Sequence, residues 1–196
     1  MFGTTDEGSH MTRRPLQNVS VLEISSFVAG PYCTRLLSDM GANVVKIEPP
    51  DEGDPARQRG PFFHDITNPE HSLLFLYLNV NKRSVTLNIG TSRGRQILTN
   101  LVSMADLLVE DLSPEQRKFY DLDFSTLHDV NPSLIVASIT PFGHTGPHSD
   151  YKASYLNSYH SGGDAYIMPG GQLQDEKFPN REPIKGAGYI GEYQVG

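Results

Sequence analysis

The chain holds a single cysteine, Cys33, among its 196 residues. One thiol cannot close an internal disulfide, so a reducing compartment, the cytoplasm, is expected. No apolar run approaches the roughly 20 residues that a helix needs to cross a bilayer. Basic residues are in deficit as well. Sixteen Lys and Arg against 23 Asp and Glu leave a net charge of −7, which argues against nucleic acid or an anionic membrane as partner, since both call for a basic face. No Gly-x-Gly-x-x-Gly follows the first strand-like segment, where Gly30-Pro31 stands instead, and this disfavours an ordinary dinucleotide-binding domain. Internal repeats and heptads are missing too. What is present, 37% hydrophobic and 20% charged residues, is the composition of a globular protein long enough to bury one core.

Strand-like and helix-like segments alternate along the chain. Val19–Ile24 is a β-branched strand candidate, Pro31–Met40 a helix and Val44–Ile47 a second strand. Ser84–Ile89 reads as a strand, and a helix starting near Thr91 or Ser92 carries Ile97, Leu98, Leu101, Val102 and Ala105 on one face. Leu107–Glu110, a short helix over Pro114–Tyr120, and Leu134–Ile139 complete the pattern. Such alternation predicts an α/β fold, a Rossmann-like, mainly parallel sheet flanked by helices. Ligands in such sheets lie at the carboxyl ends of strands. The polar turns Ser25–Gly30, Glu48–Asp54, Glu110–Ser113 and Pro141–Pro147 fall there.

Three regions are expected. Residues 1–14 form a leader in which Gly8-Ser9-His10-Met11 resembles the scar of a removed tag. Residues 15–168 form the α/β domain. Residues 169–196 begin with a Gly-, Pro- and Gln-rich stretch without periodicity, a surface loop or mobile segment, and end on the glycine-rich Gly186-Ala-Gly188-Tyr-Ile-Gly191-Glu192.

The stretch from Ala29 to Asp54 is the most informative. Ala29-Gly30-Pro31 opens a helix, Gly41-Ala42 leads into Asn43–Ile47, and Glu48-Pro49-Pro50 precedes Gly53-Asp54. Pro31 suits a first helical position, Gly30 admits close approach of backbone and ligand, and a helix amino terminus favours anions. Cys33 lies on an apolar stripe with Leu36, Leu37 and Met40, which reads as a packed, inert thiol.

This order of residues resembles the start of the family III CoA-transferases, the group of formyl-CoA transferase, carnitine CoA-transferases and α-methylacyl-CoA racemase. The resemblance continues through Asn79-Val-Asn81-Lys82-Arg83-Ser84-Val-Thr-Leu87, Ala105-Asp106-Leu-Leu-Val-Glu110-Asp111, Asn131-Pro132-Ser-Leu-Ile-Val-Ala-Ser138 and Phe142-Gly143-His-Thr145-Gly146-Pro147 to the glycine-rich close. It covers the chain from about Pro15 onward. It implies the amino-terminal half of that fold, with coenzyme A and acyl-CoA as substrates, no tightly bound cofactor, and a homodimer or a complementary carboxyl-terminal half as partner.

The resemblance also implies site residues. Glu192 stands where the family carries the aspartate that attacks the thioester, one methylene farther from the backbone. Gly186, Gly188 and Gly191 would let the loop press against the thioester. Val28, Ala29 and Gly30, Leu87, Asp111 and Leu112, and Lys152 fall at coenzyme A-binding places, and Lys82 and Arg83 offer cations to its phosphates. Glu110-Asp111-Leu112-Ser113-Pro114 replaces the usual Glu-Asn-Phe-Pro-Gly, so an acid would face phosphate, and Phe119 replaces an arginine, with Arg117 and Lys118 nearby. Ala153 holds the place of the racemase histidine, with Tyr155, Tyr159 and His160 near it, which disfavours racemization. His144 and His148 enclose Gly146-Pro147 and read as a loop rather than a metal pair. Two readings remain: a CoA-transferase or its amino-terminal half, and a catalytically inactive CoA-binding subunit.

Overall fold

The structure, a computed structural model, describes residues 14–167 and 185–194. Of the leader expected over 1–14 only Arg14 is described; the expected loop over 169–184 and the end at 195–196 also lie outside the described residues.

Among the described residues five strands form one wholly parallel sheet: β1 (Ser20–Ile24), β2 (Asn43–Glu48), β3 (Arg83–Thr86), β4 (Leu107–Glu110) and β5 (Ile135–Ser138), in the order β3-β2-β1-β4-β5. Helix α1 (Ala29–Asp39) joins β1 to β2, and α2 (Leu73–Leu78) lies in the long connection to β3. Helix α3 (Ser92–Val102) crosses back to β4, while α4 (Pro114–Phe119) and α5 (Phe124–Val130) link β4 to β5. Three short helices follow: α6 (Tyr155–Ser161), α7 (Asp164–Ile167) and α8 (Ile190–Tyr193). The expected Rossmann-like α/β architecture is observed. The strand order reverses between β1 and β4, and that switch point is where such sheets form a crevice.

Strand alternation divides the core in two. Leu22 and Ile24 of β1 join Ile47, Leu108, Leu98, Val102 and Leu127 in one cluster, and Val21 joins Val44, Val109 and Ala42 in the other. Both faces are covered, as a parallel sheet requires. Helix α1 departs from the expected stripe. Its buried residues are Gly30, Pro31, Thr34 and Ser38, whereas Leu36 and Met40 are exposed and Cys33 is half-buried. Burial pushes the Cys33 thiol up, with Glu23 adding to the rise. The helix begins at Ala29, so Pro31 is the third helical residue, not the first. The missing N–H is still harmless, because the first intrahelical bond is donated by Tyr32 to Val28 O at 2.8 Å. Gly30 is buried, and a side chain there would collide with Ser25. It serves the close packing of α1 on the end of β1 rather than approach by a ligand.

A group of charges lies where hydrophobic residues are usual. The register sets Glu23 of β1 opposite Lys46 of β2. Lys46 Nζ meets Glu23 Oε1 at 2.8 Å, Asp54 Oδ2 at 2.8 Å and Ser25 O at 2.7 Å. Lys82 Nζ meets Glu23 Oε2 at 3.0 Å, Pro31 O at 2.7 Å and Asn79 Oδ1 at 3.0 Å. Each ammonium thus has three oxygen partners for its three N–H groups. Thr34 Oγ1 donates to Glu23 Oε2 at 2.7 Å. Two carboxylates and two ammonium groups balance in the interior. Burial resists ionisation of Glu23, but Lys46 and Lys82 hold its carboxyl below the usual range. Removing one member would strand its partners, at a cost of about 3–5 kcal/mol.

Two outcomes are expected from denaturant unfolding. Lys46→Met should destabilise the chain by about 3–5 kcal/mol; a loss under about 1 kcal/mol would show that the network carries little. The second concerns Glu48, whose carboxyl is resisted by burial yet held down at about 2 by Arg57, Ser84 and the Asp54 N–H. A depressed carboxylate contributes fully above its ordinary value and loses that contribution as pH falls through the folded one. Wild-type stability should therefore decline between about pH 4.5 and 2 more steeply than that of Glu48→Gln.

Candidate active site

The turn after β1 is bonded at three successive residues. Ser25 O receives Lys46, the Ser26 N–H donates to Asp111 Oδ2 at 2.8 Å, and the Phe27 N–H donates to Asp54 Oδ1 at 3.0 Å. Phe27 has φ +65°, a left-handed backbone that side chains other than glycine seldom adopt. Asp54 also accepts the Ala56 N–H at 2.7 Å. Groups from β2, the turn after it and the turn after β4 thus converge on Ser25, Ser26 and Phe27.

Two clefts open beside this turn. The first, of about 320 Å³, lies over the carboxyl ends of β2, β1 and β4 and is walled by the Glu48–Pro55 turn, Leu87–Gly90, Asp111, Leu112 and Tyr120. The second, of about 680 Å³, is walled by Phe27, Ala29, the 139–142 turn, α6, Gly191 and Glu192. Ser26 and Asp111 belong to both walls and form the partition.

Glu192 is half-buried in the second cleft. Its N–H donates to Tyr189 O at 2.9 Å, and Oε2 is buried with no hydrogen-bond partner among the described residues. Burial pushes the carboxyl up, while Lys185 draws it down. Such a carboxylate is poorly solvated, hence more basic and more nucleophilic when ionised. The glycines around it serve a purpose different from the expected one. A Cβ on Gly186 would come within 2.8 Å of Tyr155 Oη, and one on Gly191 within 2.8 Å of the Tyr159 ring. Two of the three glycines therefore fit the segment onto the stacked Tyr155–Tyr159 pair of α6. Gly188 alone keeps open space and a positive φ of +57°.

The other sequence-derived residues divide. Ala29 is in the second cleft with Glu192, and Leu87, Asp111 and Leu112 are in the first. Val28 and Gly30 are buried behind the turn and reach neither wall. Lys82 is a correction: its ammonium is 2% exposed and fully engaged with Glu23, Pro31 and Asn79, so it has no face to offer a phosphate. Arg83 is a second. It opens β3 at the amino end of the strand, away from the clefts, where its guanidinium donates to Asn43 Oδ1. Lys152 is exposed and outside both walls. Arg117, suggested as a substitute cation, is buried against Glu110, Ser138 and His144. Asp111 does not simply confront an anion: its carboxyl turns onto Ser26, and burial pushes it up to about 7. Ala153 lies in the second cleft and supplies neither acid nor base there.

Phe27 and Asp54, in turns the sequence puts at the carboxyl rim, and Tyr155 and Tyr159, beside Ala153, take roles there that the sequence does not reveal. A signal did exist for part of this. Glu23 interrupts Val21-Leu22-Glu23-Ile24 and Lys46 interrupts Val44-Val45-Lys46-Ile47, so two opposite charges occupy the same place in neighbouring buried strands.

A wholly parallel sheet flanked by helices, with clefts at its carboxyl rim, defines a Rossmann-like α/β protein. The chain belongs to CoA-transferase family III, whose family model matches residues 16–195. It is 37% identical over 172 residues to the succinyl-CoA–D-citramalate CoA-transferase of Chloroflexus aurantiacus, covering 88% of this chain and 40% of that one. It is 35% identical over 183 residues to the formyl-CoA:oxalate CoA-transferase of Streptomyces avermitilis, covering 93% and 41%. Among solved structures, a CAIB/BAIF family protein from Brucella suis superposes with TM-score 0.72 and 33% identity over 92% of this chain and 47% of that one. The Mycobacterium tuberculosis protein Rv3272 superposes with TM-score 0.75 and 28% identity over 91% and 47%. The chain thus spans about two fifths of the curated relatives' length. No helix among the described residues is long and apolar enough to cross a membrane.

The state of Asp111 has a measurable consequence. With its folded pKa raised to about 7, the native chain binds more protons than the unfolded one from the ordinary carboxyl range up to that value. The group therefore costs stability progressively as pH rises through this window and costs most above it. Asp111→Asn should raise the melting temperature more at pH 8 than at pH 5. Equal shifts at both pH values would contradict this environment for the carboxyl.

Proposed function

We propose that this chain is the coenzyme A-binding part of an enzyme that moves coenzyme A between carboxylic acids, with Glu192 as the nucleophile. The observation that supports this reading is the placement, in the cleft beside Ala29 and Asp111, of a half-buried carboxylate whose Oε2 has no hydrogen-bond partner among the described residues. Residues 15–168 form the binding domain and 169–196 carry the carboxylate. Coenzyme A enters as a substrate, with its nucleotide end over Leu87, Asp111 and Leu112 and its thioester passing Ala29, while Val28 and Gly30 support that turn from behind. Lys152, exposed and next in sequence to Ala153 of the second cleft, is the cation proposed for phosphate. Lys82 and Arg83 have no part.

In the first step an ionised Glu192 oxygen attacks the thioester carbonyl carbon, the carbon–sulfur bond breaks, and coenzyme A leaves as thiolate. A mixed anhydride remains on the enzyme. The thiolate then attacks the glutamyl carbonyl carbon and expels the first acid as carboxylate, leaving a glutamyl-CoA thioester. An incoming carboxylate attacks that thioester, and the two steps reverse. Splitting one exchange into acyl transfers avoids free thiolate attack on a carboxylate. Phe27 and the α6 tyrosines shield the carboxylate from water and thereby protect the anhydride from hydrolysis. The relatives named above include transferases acting on succinyl-CoA and formyl-CoA, and this reading places the chain's activity in the cytoplasm, as a homodimer or with a complementary carboxyl-terminal half.

A second reading, an inactive CoA-binding subunit, is favoured by Glu192 itself, whose carboxylate stands one methylene farther from the backbone than the family's aspartate, a displacement to which covalent catalysis is sensitive.

Incubation with an acyl-CoA followed by mass spectrometry separates the two. Covalent chemistry predicts a hydroxylamine-sensitive mass increase on the peptide holding Glu192, absent in Glu192→Gln. Saturable acyl-CoA binding with no adduct would establish the binding subunit instead.

A further inference from the structure

The segment that carries Glu192 is gripped from both sides by aromatic rings. Ahead of it, Tyr189 meets Phe27 edge-on with ring centroids 4.9 Å apart and planes at 82°. Behind it, Tyr193 meets Tyr32 at 4.8 Å, also at 82°. Edge-to-face pairs of this geometry are attractive and directional. Phe27 belongs to the turn after β1 and Tyr32 to the first turn of α1, so both rings project from the stretch that the buried charges hold. Phe27 itself adopts φ +65°, an outlier that costs energy for a bulky residue and persists only where the surroundings over-determine it. Those surroundings are on hand: Asp54 takes the Phe27 N–H, Asp111 takes the Ser26 N–H, and Lys46 takes the Ser25 carbonyl. An ordinary right-handed or extended Phe27 would carry its ring to another place and release Tyr189.

We propose that Phe27 is a positioning residue, held left-handed by Asp54 so that its ring and that of Tyr32 bracket the 189–193 segment and fix the Glu192 carboxylate in the cleft. Glu192 sits between the two clasped tyrosines, with its own N–H and that of Tyr193 both bonded to Tyr189 O at 2.9 and 3.1 Å. A shift of Tyr189 therefore moves the carboxylate directly. The catalytic consequence rests on the reading of Glu192 as nucleophile; the mechanical one does not.

Hydrogen–deuterium exchange on the whole chain tests the bracket without any chemistry. Phe27→Leu should speed exchange of the Glu192 and Tyr193 amides by about tenfold and leave β1, β2 and β4 unchanged. Phe27→Tyr should restore slow exchange, since it keeps the ring. Tyr189→Leu should give the same acceleration, and combining it with Phe27→Leu should add little, because both remove one contact. Unchanged exchange at 192 and 193 in both single variants would overturn the proposal. Acceleration throughout the sheet would also overturn it, since it would show that Phe27 supports the fold at large. In the turnover-competent protein, Phe27→Leu should lower kcat about tenfold or more with KM little changed. A bracket seen by exchange in a chain that forms no Glu192 adduct would leave the clasp standing and remove the nucleophile.

Discussion

Lys46 gathers Glu23, Asp54 and the Ser25 carbonyl around one ammonium group inside the sheet. The charges are buried, so each is costly alone, and their mutual placement is correspondingly strict. The parallel register sets Glu23 and Lys46 opposite one another. Asp54 comes from the turn beyond β2, and Ser25 is the residue at which β1 gives way to the site. One ammonium thus ties a strand, the next strand and two loops to a common point. A hydrophobic substitute could fill the space but could not orient a carbonyl or a carboxylate.

From that point the geometry extends outward. Asp54 spends one oxygen on Lys46 and the other on the Phe27 N–H, which holds a strained turn. The turn leads into α1 with its buried face of Gly30, Pro31, Thr34 and Ser38. That small, partly polar face lets the helix lie close over Glu23, and its Thr34 hydroxyl completes the carboxylate's hydrogen bonds. Phe27 and Tyr32 then meet the segment bearing Glu192. A chain of short, directional contacts connects the buried charges to a carboxylate at the surface of the cleft, and a network of this kind is rigid where loops are ordinarily not.

Much of the architecture was legible from the sequence. The β-branched run at 19–24, the short strand at 107–110 and the capped helix at 92 stand within a residue of where the strands and helix fall, because local pattern and tertiary demand agree there. Helix α2 was not legible: Leu73–Leu78 is a continuous apolar run that fits helix and buried strand equally. Helices α5 and α6 are short and owe their stability to packing more than to propensity. At the site, Ala29, Asp111 and Glu192 could be named because they sit in recognisable motifs. Lys82 and Arg83 were misjudged since adjacency in sequence suggested a joint cationic patch, whereas Lys82 turns into the core and Arg83 stays at the amino end of its strand. Phe27 escaped notice because backbone handedness leaves no mark on a phenylalanine codon, only on the hydrogen bonds that enforce it.

The central claim is that the strained turn presents a carboxylate to a thioester laid across the sheet's rim. A crystal structure with a bound, non-hydrolysable acyl-CoA analogue tests this most directly. The account predicts the nucleotide over Leu87 and Leu112, and the acyl carbonyl carbon about 3–3.5 Å from a Glu192 oxygen. An analogue bound elsewhere, or a Glu192 side chain turned away from the carbonyl while the nucleotide is in place, would contradict it.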